Sequence, residues 1–78
     1  MISISDIQMA QRALREKSAV AVVARMLAGD VHLVKSYFIK SDESGIVTTD
    51  GVRAKCEYVR ELVLCSSVQD AQAQLLKK

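Results

Sequence analysis

His32, Cys56 and Cys65 are the residues whose types most readily suggest chemistry in this chain, and they are few. One histidine and two cysteines nine residues apart cannot close a structural zinc site by themselves. Two thiols also make no disulfide framework, so both cysteines read as small buried hydrophobes. Asp42-Glu43 is the one adjacent acidic pair, but it stands in a Ser-Asp-Glu-Ser-Gly stretch that reads as a solvated loop. There is no glycine-rich phosphate loop and no nucleophile elbow, and His32 has no evident acid partner. The expectation is a chain that is not an enzyme and needs no cofactor.

The net charge of +2 is unevenly divided. Residues 1–40 carry six basic side chains against three acidic ones, whereas residues 41–78 carry five against six. The basic excess suits a phosphate-bearing partner in sign, though its size is modest. Half of the 78 residues are apolar and only Tyr37, Phe38 and Tyr58 are aromatic. One small domain over 1–78 is expected, burying about 60% of its unfolded surface around a core of Val, Ala, Leu and Ile. Arg25 and Asp30 interrupt the longest apolar run, so no membrane span is expected. The N-terminus lacks the pattern of a secretory signal, and a cytoplasmic location follows.

The elements that would position these residues begin with a helix. Ser5 and Gln8 form a capping box, Ile4 and Met9 a staple, and Ile7, Ala10 and Leu14 an apolar stripe that fades near Glu16 or Lys17. Ser18 is a possible new cap. Residues 19–28 mix strand and helix formers, and a short extended piece at 18–20 followed by a helix to Ala28 satisfies both. Gly29 then stops that helix and Asp30 caps the next, which places Val31, Val34, Tyr37 and Phe38 on one face. A strand competes over 31–39, because Val, Tyr, Phe and Ile all favour it.

Asp50-Gly51 between β-prone runs predicts a hairpin over 46–58 with a two-residue turn. That turn pairs Thr49 with Val52 and Val47 with Ala54, placing Val47, Thr49, Val52, Ala54, Cys56 and Tyr58 on one face. Ser66 or Ser67 caps a last helix over 67–78, with Val68, Ala71, Leu75 and Leu76 as its stripe and Lys77-Lys78 at its end. The alternative is one long helix from Asp50 onward.

Helix, helix, turn, helix and hairpin is the element order of a winged helix-turn-helix domain, which the chain resembles over 5–58. The resemblance rests on Val23, Ala24 and Leu27, the Ala28-Gly29 turn, Val34 and Tyr37, and the Asp50-Gly51 hairpin as a wing. It departs from the family in the turn glycine, which stands one place late, and in the acids Asp42 and Glu43 after the second motif helix. The resemblance implies an α+β fold: three N-terminal helices within 5–40, a hairpin wing at 46–58 and a C-terminal helix. Other small α+β or all-α folds are the alternative.

It further implies a small transcriptional regulator that binds double-stranded DNA. His32, Lys35, Ser36 and Lys40 would face the major groove, while Arg53, Lys55, Arg12 and Arg15 would meet phosphates. A homodimer is expected, joined through Val68, Ala71, Leu75 and Leu76. The competing expectation is a non-enzymatic protein-interaction or inhibitor module, of an adaptor, antitoxin-like or phage host-takeover kind.

Overall fold

Val22, Val23 and Ala24 are consecutive and all buried, which a helix resting on one face cannot achieve. A strand covered on both faces can. The computed structural model describes residues 1–76. Its order is α1 (Ile4–Arg15), β1 (Ala21–Met26), β2 (Val31–Ile39), β3 (Ser44–Thr48), β4 (Arg53–Lys55), a 3₁₀ turn (Cys56–Tyr58), β5 (Val59–Cys65) and α2 (Val68–Leu76).

The winged-helix arrangement is therefore overturned. Only one helix lies within 5–40, and the two motif helices expected there are the strands β1 and β2. β-Branched and aromatic side chains, together with pairing on both edges, outweigh the helix-compatible spacing of Val31, Val34 and Tyr37. The expected wing supplies β3 and the edge strand β4 of a five-stranded antiparallel sheet in the order β4-β3-β2-β1-β5. At the C-terminus α2 packs on that sheet, and Ser67 Oγ accepts from Asp70 N–H at its start. Lys77 and Lys78 lie outside the described residues.

At the start of α1 the capping residue is Ser3 rather than Ser5, and Asp6 returns a bond to the Ser3 backbone N–H. A charged acceptor facing the helix N-terminus gains from the dipole as well as from the bond. The helix closes with a Schellman arrangement: Ser18 N–H donates to Ala13 O, Lys17 N–H donates to Leu14 O, and Lys17 takes the left-handed conformation at φ 60°. Ser18 thus ends α1 instead of capping a second helix.

The β1–β2 and β3–β4 hairpins each use a three-residue loop with glycine at positive φ. Gly29 (φ 100°) donates to Met26 O between β1 and β2, and Gly51 (φ 90°) donates to Thr48 O between β3 and β4. This is the turn-plus-bulge form, not the two-residue turn expected at Asp50-Gly51. The extra residue slips the register by one, so Ile46 pairs Ala54 and Val47 pairs Arg53. A one-residue slip reverses faces. Ile46 and Thr48 are consequently buried with Ala54, while Val52 and Tyr58 are exposed.

In β2, residues 31–33 pair with β1 and residues 34–39 with β3, and a bulge at Lys35 interrupts the second pairing. Only the Cys56–Tyr58 turn joins edge strand β4 to edge strand β5. At about 3.5 Å per residue this link cannot cross a flat five-stranded sheet, so the sheet curls. On one side Ile2 and Ile7 meet Ala24, Ile46, Ala54 and Val59. On the other side of β1, Val23 and Cys65 meet Ala71 of α2, with Val31, Leu33, Val63 and Leu75 around them. The two helices therefore lie on opposite faces.

Tyr37 packs against the first cluster, and its buried hydroxyl has no hydrogen-bond partner among the described residues. Burial pushes that hydroxyl from 10 up to about 12. The folded state thus holds the proton more tightly than the unfolded chain. Its contribution is whole below pH 10 and is lost as pH rises toward about 12. Tyr37→Phe is expected to change stability at neutral pH by less than about 1 kcal/mol, since no bond is lost. It should also flatten the alkaline limb of stability, read as urea midpoints between neutral pH and pH 11.

Candidate interaction surface

Curling the sheet leaves two different edges. β4 is three residues long, and Glu43 lies 3.7 Å from Arg53 and 3.8 Å from Lys55 beside it. β5 is seven residues long and pairs only with β1, so its outer edge has no strand partner among the described residues. A bulge at Arg60 interrupts the strand, and from Glu61 to Cys65 every second N–H and C=O along such an edge points outward.

Next to this edge runs a groove between α1 and β5. Ile2, Met9 and Ala10 form one wall, Leu62 and Leu64 the other, with Asp6 and Arg60 at its rim. Met9 and Leu64 are exposed at 62% and 45%, large apolar side chains that the chain itself leaves uncovered. Arg25 holds Glu61 at 3.3 Å on the opposite face of the strand. This arrangement can bind backbone along the edge and apolar side chains in the groove. Acid–base chemistry is not evident in it.

The residues expected to contact DNA are spread over the molecule. Arg12 and Arg15 are on the last turn of α1, and Arg12 pairs with Glu16 at 3.3 Å. His32 opens β2 beside Asp30, whose carboxylate accepts from its Nε2 instead of capping a helix. That bond holds the Asp30 carboxyl below its ordinary value, as the Thr48 hydroxyl does for Asp50. Lys35 is the bulge residue of β2 and Lys40 follows the strand. Arg15, Lys35 and Lys40 have no ion-pair partner among the described residues.

Ser36, Arg53 and Lys55 do come together. Register places Ser36, Phe38, Val47, Arg53 and Lys55 on the face of β2–β4 opposite Ile46. Arg53 stacks 4.3 Å above the Phe38 ring, and Glu43 bridges Arg53 to Lys55. Much of this local positive charge is thus matched internally.

The expected dimer stripe is divided. Ala71 and Leu75 pack inward against the sheet, whereas Val68 and Leu76 are exposed. Cys65 is buried in the same cluster, where burial and then Asp70 push its thiol up. Cys56 is half-buried with Ser44 Oγ 3.2 Å from its sulfur, and both cysteines are free.

Sequence reading missed the β5 edge. Residues 59–65 show no clean alternation, because both faces are partly covered at Leu62 and Val63 and a bulge at Arg60 puts Val59 and Leu62 in the same cluster. Among the described residues, no group of three or more His, Cys, Asp or Glu side chains is placed to hold a metal ion. No helix there is long and apolar enough to cross a membrane. Comparison with protein-family models, curated proteins and solved structures gives no match.

Proposed function

We propose that this chain is a non-enzymatic protein-interaction domain that binds an extended segment along the free edge of β5. The observation carrying this reading is a seven-residue unpaired edge lying beside an uncovered apolar groove. Strand addition draws affinity from main-chain hydrogen bonds and selectivity from pockets for alternate side chains. Met9, Leu62 and Leu64 would receive those side chains. An adaptor or inhibitor role fits such a surface.

The test is selection of displayed peptides against the chain, followed by NMR titration. Bound peptides should shift the amides of residues 60–64, and Leu64→Lys should weaken them by about tenfold or more. Shifts confined to β4 and its neighbours would overturn the assignment.

A second reading, double-stranded DNA binding without a recognition helix, is favoured by the gathering of Ser36, Arg53 and Lys55 near Lys35. Mixed-sequence duplex in the same titration decides it. Affinity should then fall steeply with salt from about 50 mM, with a shallower slope in Lys35→Ala and Arg53→Ala.

A further inference from the structure

We infer that the β5 edge selects an acidic extended peptide: two apolar side chains separated by one residue, with a carboxylate on the same face at the Arg60 end. The inference rests on the interaction reading above and names the chemistry of its partner. Met26 N–H donates to Asp30 O, so Met26 and Ala24 turn their main-chain groups toward β2. Arg25, Val23 and Ala21 turn theirs toward Glu61, Val63 and Cys65 of β5. Leu62 and Leu64 are thereby left with N–H and C=O directed outward. Residues opposed across a strand pair share a face of the sheet. A segment bonded at Leu62 and Leu64 therefore sends the two side chains opposite them toward α1, over Ala10 and beside the exposed Met9.

The bulge then selects the charge. Arg60 is the extra residue between Val59 and Glu61, opposite no partner on β1, and it lines the end of the groove. Bulges commonly re-aim a side chain in this way. Of the other charged side chains lining the groove, Asp6 accepts from the Ser3 N–H and hydroxyl, and Glu61 is held by Arg25. Arg60 has no ion-pair partner among the described residues. Strand alternation brings the segment's next groove-facing residue, two beyond the one opposite Leu62, to this end. A carboxylate there meets a guanidinium able to hold it through two N–H bonds. A lysine there would face a like charge.

The probes are two synthetic peptides blocked at both ends, Glu-Thr-Leu-Thr-Leu-Thr-Glu and Lys-Thr-Leu-Thr-Leu-Thr-Lys, which read the same in either direction. In NMR titration of the full chain at low salt, the acidic peptide should shift the amides of residues 60–64. It should bind about fivefold or more tightly than the basic one. Arg60→Glu, folded by circular dichroism, should reverse that preference, and Arg60→Gln should level it. Lys40→Glu makes the same change in net charge outside the groove and should leave the preference intact. That control separates a contact at Arg60 from general attraction to a chain of net charge +2. Equal affinity for the two peptides would overturn the inference. So would a preference that survives Arg60→Glu, one lost equally in Lys40→Glu, or binding of neither peptide. In each of these cases, selected peptides that still shift residues 60–64 leave the interaction reading standing. If no peptide shifts that edge, both readings fall.

Discussion

Ile7→Ala is expected to lower the free energy of unfolding by about 2–5 kcal/mol. A domain of this size holds roughly 4–12 kcal/mol in total, so the variant should lie near the limit of folding. Ile7 is fully buried and is the large side chain by which α1 enters the curl of the sheet. It clusters with Ile2, Ile46 and Val59 and with the alanines Ala24 and Ala54, all buried. The branched side chains have few rotamers and the alanines none, so much of the cavity should persist and its cost should appear. Ile7→Val, which removes one methyl group, is expected to cost about 0.5–1.5 kcal/mol. Urea midpoints read at unchanged slope measure both. A loss under about 1 kcal/mol for Ile7→Ala would show that α1 does not seat in the sheet.

The same contacts show why α1 was legible and the sheet beyond it was not. Ile7 and Ala10 recur at helical spacing and are buried, with Ala13 completing the buried stripe and Leu14 only half-buried, so period and burial largely agree. Its cap was misplaced by two residues because Ser3–Asp6 and Ser5–Gln8 are overlapping boxes, and the carboxylate has the stronger claim on the helix N-terminus. In β2 the local signal points both ways. Val31, Val34 and Tyr37 fit one helical face, yet they also fit a strand whose bulge at Lys35 adds a residue between faces. Nothing local announces that bulge. Gly29 was equally ambiguous, since a positive φ ends a helix or completes a three-residue hairpin.

At Asp50-Gly51 the turn was legible and its length was not. A two-residue turn needs positive φ at both positions, and only Gly51 has it. The resulting slip moved Ile46 and Thr48 inward and Val52 outward. For the candidate surface the difficulty was of another kind. An edge is a property of sheet order, and Val59–Cys65 becomes one only because β5 returns beside β1 rather than beside β4.

Gly45→Ala is expected to cost about 3 kcal/mol, at the upper end for an overfilled interior. A Cβ at Gly45 would strike the carbonyl oxygen of Ala54 and lie 2.8 Å from both the Lys55 Cα and the Phe38 ring. The ring can turn aside, but the carbonyl and the Cα belong to the backbone of β4. That strand is three residues long and pairs with β3 alone, so it is the element that must yield. Its displacement would expose Ala54 to solvent and loosen Ile46, which pairs with it. Local opening should therefore accompany the global loss, seen as faster amide hydrogen exchange at Val47 and Lys55 than in β1. A double-mutant cycle with Phe38→Ala separates the two obstacles. Phe38→Ala alone should cost about 0.5–1 kcal/mol for the lost Arg53 stacking, plus the apolar contact of the ring with Gly45. If the backbone is the barrier, the two losses should add almost fully. Strong rescue by Phe38→Ala would instead place the constraint in the ring, and β4 would then be free to accept a side chain at position 45.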